Sequence, residues 1–269
     1  MDLDVLGQRT RLYTGGRAFD RRLPAVVLVH GAGHDHSVWN HQARHLAHHG
    51  FGVLAPDLPG HGASAGQPLA SIEALADWLA AVLDAVGVER ATLAGHSMGS
   101  LIALEAAARH PARAAALALI GSAAPMPVAP VLQEAAETDR PKAHGMINQW
   151  SYTPASHLGA SPAPGLWLPG ANARLMGHQH AGVLATDLAA CNAYQHGQQA
   201  AAEIRCPTLL IYGERDQMTP ARAARPLREA FTAVPGGTRV VTLPATGHAL
   251  MAEAPDGVTD ALRGFLAAR

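Results

Sequence analysis

The residues Gly95-His96-Ser97-Met98-Gly99 carry the sharpest chemical signal in the chain. A serine hydroxyl is a weak nucleophile until a neighbouring base takes its proton, and that base needs a further group to hold it in the right tautomer. The pentapeptide fits the pattern G-x-S-x-G, preceded by the strand-like Ala91-Thr92-Leu93-Ala94 and followed by the helical run Ser100-Leu101-Ile102-Ala103-Leu104-Glu105. Two glycines leave room for a sharp strand-to-helix turn, and a helix starting at Met98 points unpaired N–H groups at the place where negative charge develops during acyl transfer. Downstream, Ile211-Tyr212-Gly213-Glu214-Arg215-Asp216 places acids just beyond a strand, and Ala245-Thr246-Gly247-His248 places a histidine just beyond the last one. Ser97 is therefore the expected nucleophile, His248 the general base and Asp216 the orienting carboxylate, with Glu214 as the competing acid. Each has a plainer reading. A Gly-Ser-Gly turn can simply join strand to helix, Asp216 can cap the helix beginning near Pro220, and His248 can be a surface histidine. Their joint occurrence, each at the end of a predicted strand, argues against all three at once.

The loop His30-Gly31-Ala32-Gly33 directly follows the strand Val26 to Val29. Its Ala32 N–H and that of Met98 are the expected oxyanion donors, while Gly31 and Gly33 let backbone approach substrate and His30 holds the loop. Gly31, Gly33, His34, Trp39, Trp150 and Trp167 are the expected pocket residues, although core packing is the plainer reading for any single aromatic. The 16 histidines raise a metal question. On a helix, His41, His45 and His48 or His49 would share one face at ligand-compatible spacing, but no cysteine or carboxylate completes the set. A polar helix face is the preferred reading, and neither metal nor organic cofactor is expected.

Positioning these groups requires a scaffold that brings strand ends together. Short Val-, Leu- and Ile-rich runs alternate with Ala-rich helical segments, the pattern of βαβ units and a parallel sheet. Core strands are expected at Ala25 to Val29, Gly52 to Ala55, Ala91 to Ala94, Ala115 to Ile120, Thr208 to Tyr212 and Arg239 to Leu243, all buried on both faces. Val5 to Phe19, turning at Thr14-Gly15-Gly16, is expected to form an edge hairpin. Helices are expected at Val38 to His49, Ile72 to Val86, Met98 to His110, Pro220 to Thr232 and Pro255 to Ala267. Between Pro125 and Glu203 the rhythm breaks into proline-punctuated sequence without clear strands. This reads as an inserted helical cap over residues 125-203, leaving 1-124 and 204-269 as the core.

Five segments in this order resemble the α/β-hydrolase superfamily: His30-Gly31-Ala32-Gly33, Asp57-Leu58-Pro59-Gly60-His61-Gly62-Ala63-Ser64, Gly95-His96-Ser97-Met98-Gly99, Gly213-Glu214-Arg215-Asp216 and Gly247-His248. The resemblance covers nearly all of the chain outside the cap. It implies the α/β-hydrolase fold, a mostly parallel sheet with helices on both faces, and a cofactor-free serine esterase or lipase-like activity. In that resemblance the Asp57 to Ser64 loop is structural. Serine at position 97 sets aside the haloalkane dehalogenases and epoxide hydrolases, which use aspartate there. Ring-fission C–C hydrolases and perhydrolases keep serine and stand as the alternative. A catalytically dead ligand-binding protein of this fold is a further one.

Composition narrows the partners. With 20 Lys plus Arg against 21 Asp plus Glu, and 48% hydrophobic residues, the chain suits a globular core rather than a nucleic-acid or anionic-membrane surface. No apolar run approaches the roughly 18 to 20 residues that span a bilayer. The acidic start Met1-Asp2-Leu3-Asp4 is unlike a secretory signal, and two cysteines make no disulfide framework. A cytoplasmic monomer or homodimer, acting on a small, partly hydrophobic ester or acyl compound, is expected, with no stable membrane association.

Overall fold

The computed structural model describes residues 1–268. Two strands, β1 (Asp2–Val5) and β2 (Gln8–Tyr13), lead into β3 (Ala25–Val29), α1 (Asn40–Ala47), β4 (Gly52–Pro56), α2 (Ile72–Val86), β5 (Ala91–His96), α3 (Met98–Arg109) and β6 (Ala114–Ile120). Six helices follow without a strand: α4 (Pro130–Thr138), α5 (Arg140–Ser151), α6 (Pro154–His157), α7 (Leu168–His178), α8 (Val183–Ala193) and α9 (Gly197–Glu203). The chain then closes with β7 (Thr208–Gly213), α10 (Ala221–Ala230), β8 (Arg239–Leu243), α11 (Leu250–Glu253) and α12 (Pro255–Leu266).

The strands form one sheet in the order β1-β2-β4-β3-β5-β6-β7-β8. From β4 to β8 all pairs are parallel, and β2 joins β4 antiparallel. Strands β3 to β7 are buried save for the half-buried Ala115 of β6, because helices cover both faces. On one face Val27, Leu54, Leu93 and Leu119 pack with Leu79 of α2 and Leu101 of α3. On the other, Val26, Val53, Ala118 and Ile211 pack with Leu46 of α1 and Leu262 of α12. Expected both-face burial fails at β8, where Arg239 and Val240 are exposed, since this strand is the sheet edge and has a neighbour on one side only.

The hairpin also differs from expectation. Val5 pairs with Gln8, so the turn is Leu6-Gly7, both at positive φ (52° and 78°), as a tight twisted hairpin requires. Gly15, at φ 70°, instead lets the chain pass against α1, where a Cβ would strike the Ala43 carbonyl. The proline-rich stretch is helical because Pro130, Pro141, Pro154 and Pro169 occupy first turns, where the missing N–H had no intrahelical partner to lose. These helices have their own apolar centre, built by Leu132, Ile147, Met176, Leu184 and Leu188 among others. Among the described residues no helix is long and apolar enough to cross a membrane.

Candidate active site

Strand β5 ends at His96 and α3 begins at Met98, leaving Ser97 alone on the turn with φ 53° and ψ −121°. A side chain rarely adopts this conformation, and holding it costs on the order of 1–3 kcal/mol. The turn is fixed by Ser97 N–H to Ile120 O (3.0 Å) and Ser100 N–H to Ser97 O (2.8 Å). Close approach explains the flanking glycines. A Cβ on Gly95 would strike the Gly99 carbonyl, and one on Gly99 would strike the carbonyls of Val29 and His30.

The loops after β7 and β8 bring Asp216 and His248 together. His248 Nδ1 lies 2.8 Å from Asp216 Oδ2, and the two residues are 4% and 5% exposed. Asp216 Oδ1 accepts the N–H groups of Met218 and Thr219, each at 2.8 Å, and the Thr219 hydroxyl donates to Oδ2 at 2.7 Å. Burial pushes the Asp216 carboxyl up, but the His248 charge and these hydrogen bonds outweigh it and bring it down to about 2. An ionised Asp216 accepts Nδ1–H, which fixes the ring orientation and leaves Nε2 as the imidazole nitrogen that can take a proton. Glu214 is exposed, and its carboxylate accepts Ala245 N–H at 2.8 Å instead of meeting the histidine.

Three contacts hold the histidine loop. His96 Nε2–H donates to His248 O at 2.8 Å, Ala249 N–H donates to Ser151 O at 3.0 Å, and Gly247 N–H donates to Glu253 Oε2 at 2.7 Å. Because a carbonyl only accepts, His96 carries its proton on Nε2. Burial, with the His248 charge second, holds it well below the ordinary value, so it stays neutral. Gly121, at φ 56°, leaves room for the imidazole; a Cβ there would lie 3.2 Å from the His248 ring.

Ser97, His248, Gly31, Ala32, His34 and Trp150 line one cavity of about 360 Å³, whose apolar wall includes Met126, Leu132, Ile147 and Leu188. A second cavity of about 320 Å³ shares His34, His96, Ser151 and His248 and extends over Tyr152, Leu168, Leu175 and Met251. Met98 is fully buried and lines neither cavity. Three residues expected in the pocket lie elsewhere. Gly33 turns away, its N–H donating to Asp187 Oδ2 at 2.8 Å and its Cα facing Leu184. Trp39 is 0% exposed and packs into the core with Leu46 and Val53, because it ends the short turn that seats α1 on the sheet. Trp167 is 57% exposed and lies over Gly170 at the start of α7. Sequence reasoning missed Thr219 and the wall residues Met126, Leu132, Ile147 and Leu188. The spacing Asp216-x-x-Thr219, an Asx-turn pattern in which the aspartate accepts backbone N–H groups just ahead of it, could have revealed the first. Helical periodicity shows an apolar face but not whether that face meets core or cavity.

The rings of His45 and His49 stack at 4.0 Å, and His49 Nδ1 bonds to His45 O at 2.6 Å. Among the described residues the one group with three close metal-donor atoms is Asp35, His36 and Asp57. Protein donors already engage it. Asp57 Oδ1 takes His36 N–H and Nδ1, Asp57 Oδ2 takes Ala63 N–H, and Asp35 Oδ1 takes the Ser37 N–H and hydroxyl.

A sequence model described as the alpha/beta hydrolase family matches residues 26–261. The pimeloyl-[acyl-carrier protein] methyl ester esterase of Chromobacterium violaceum is 33% identical over 216 residues, covering 77% of this chain and 82% of that one. The dihydrolipoyllysine-residue acetyltransferase component of the acetoin cleaving system of Pseudomonas putida is 32% identical over 255 residues, 90% of this chain, but this chain spans only 63% of its length. Among solved structures, the enol-lactonase from Burkholderia xenovorans LB400 superimposes with a TM-score of 0.86 at 25% identity, covering 99% of this chain and 100% of that one.

Proposed function

The chain belongs to the alpha/beta hydrolase family, and from that premise we propose that it is a serine hydrolase cleaving a carboxylic ester or related acyl compound through an acyl-enzyme intermediate. The observation that carries this reading is the 2.8 Å contact of His248 Nδ1 with a buried, ionised Asp216, His248 lining the cavity that Ser97 also lines. Ser97 Oγ attacks the carbonyl carbon as His248 Nε2 takes its proton. The N–H groups of Ala32 and Met98 receive the oxyanion. The imidazolium then gives its proton to the leaving oxygen, and water repeats the sequence to free the acid and Ser97.

Helices α4, α5 and α8 supply the apolar cavity wall, which supports reading residues 125-203 as a cap that selects a partly hydrophobic substrate. An ester and a lactone both present the acyl–oxygen bond this mechanism breaks, which agrees with the names of the relatives. The test is a panel of p-nitrophenyl esters of graded acyl length, with fluorophosphonate labelling alongside. Ester turnover with labelling at Ser97 is expected. Turnover confined to vinylogous diketones would replace the ester reading with C–C bond hydrolysis.

A further inference from the structure

Asp187 of α8 is 1% exposed, yet its carboxylate does nothing in the reaction just described. One oxygen, Oδ2, meets both Gly33 N–H and His61 Nε2 at 2.8 Å, while Oδ1 is buried with no hydrogen-bond partner among the described residues. His61, also 1% exposed, places its other nitrogen 2.9 Å from Pro59 O. Neither acceptor carries a proton, so satisfying both contacts makes the ring an imidazolium and the pair a buried salt bridge. Burial alone pushes the His61 ring down, but the Asp187 charge and hydrogen bond outweigh it and raise it above its ordinary value. Such a pair adds little stability compared with apolar residues of similar volume, and one orphaned oxygen makes this one poorer still.

The pair fixes the geometry next to the expected oxyanion donor. The Ala32 N–H shares a peptide plane with the Gly31 carbonyl, which accepts His30 Nδ1–H at 2.9 Å and His34 N–H at 3.3 Å. The following plane, Ala32 C=O with Gly33 N–H, is held among the described side chains by Asp187. Locking both planes fixes φ and ψ of Ala32 together. The direction of its N–H is then set before substrate arrives, which is what oxyanion stabilisation demands.

We propose that Asp187 is a positioning residue for the oxyanion hole: the helical insertion, through Asp187 and its partner His61, holds the Gly33 peptide and thereby aims the Ala32 N–H at the reacting oxygen. The inference rests on the serine mechanism above. The oxyanion hole is then complete only while α8 is seated on the loop.

The test compares Asp187→Asn, Asp187→Ala and the double variant Asp187→Leu/His61→Leu, reading kcat, KM, thermal midpoint and affinity for an aryl trifluoromethyl ketone, whose serine adduct carries the oxyanion. Because Oδ2 is the oxygen that accepts Gly33 N–H, the asparagine oxygen replaces it there, and Asp187→Asn is expected within about threefold of wild type in kcat and ketone affinity. The alanine and double variants are expected to lose about 10 to 100-fold in both, with KM little changed. The double variant leaves no buried charge unpaired and is expected to fold even where Asp187→Ala does not, so it reads positioning. A stable double variant with wild-type kcat and ketone affinity overturns the proposal, as does an Asp187→Asn loss equal to that of the double variant. If fluorophosphonate fails to label the wild type, the serine reading falls first and takes this inference with it; labelling with an unaffected double variant overturns this inference alone.

Discussion

The Thr219 hydroxyl donates at 2.7 Å to Asp216 Oδ2, the same oxygen that meets His248 Nδ1. With two backbone N–H groups on Oδ1, the carboxylate is held at both ends and cannot swing away from the imidazole. Asp216→Asn keeps the shape but cannot stabilise the imidazolium and favours the wrong tautomer, so kcat is expected to fall by about 1,000 to 10,000-fold. Thr219→Val removes one of the carboxylate's donors and is expected to cost roughly tenfold in kcat, since a hydrogen bond to a charged group is worth about 1.5–3 kcal/mol. Steady-state kinetics of the two variants check this order; a Thr219→Val loss equal to that of Asp216→Asn would contradict it.

Ser97 sits on a turn at φ 53°, and the proposed mechanism makes it the nucleophile. Ser97→Ala is expected to abolish ester turnover and fluorophosphonate labelling with the fold retained. Ser97→Gly should be as inactive but more stable than Ser97→Ala, by about 1–3 kcal/mol, because glycine adopts φ near 53° without strain. Urea midpoints of the two variants measure the difference, and equal midpoints would mean that the turn is not strained.

The two tryptophans of the helical insertion should separate. Trp150 lines the cavity with Ser97, whereas Trp167 is 57% exposed and lines neither cavity. Trp150→Ala is expected to shift the preference between short and long acyl esters by about 10 to 200-fold. Trp167→Ala is expected to leave that ratio unchanged. Ratios of kcat/KM for a short and a long ester with one leaving group decide between them.

Buried histidines give stability an acid limb. His30 and His96 are 0% and 4% exposed, and loss of water, with the charges of His61 and His248 second, holds both below the ordinary histidine value. The unfolded chain binds their protons more readily, so their contribution is present above about pH 6.5 and is lost as pH falls below it. His36 and His61 have the opposite sign: burial lowers them, but Asp57 and Asp187 respectively raise them further, so their contribution is present below about pH 6.5 and is lost as pH rises through the folded values. Urea midpoints are expected to fall between pH 7 and pH 5, and His30→Asn, though less stable at pH 7, is expected to flatten that slope. An unaltered slope in the variant would remove His30 as its source.

The parallel core was legible because its cause is local. A strand buried on both faces must be continuously apolar, and a helix between strands must show one apolar face, so β3 to β7, α2, α3 and α12 lie within a few residues of where the sequence places them. The order of Ser97, Asp216 and His248, and the need for Gly95 and Gly99, could be read for the same reason, since each stands at a strand end. What the chain order left open was decided by neighbours distant in sequence. β8 looks like a core strand and is an edge because nothing pairs beyond it, and Trp39 looks like a pocket wall and is core because α1 folds down over the sheet. The cavity wall, Thr219 and the meeting of Asp187 with Gly33 across 154 residues depend on how the helical insertion sits against two loops. A side chain's periodicity reports that it is buried; only the packed structure determines what it is buried against.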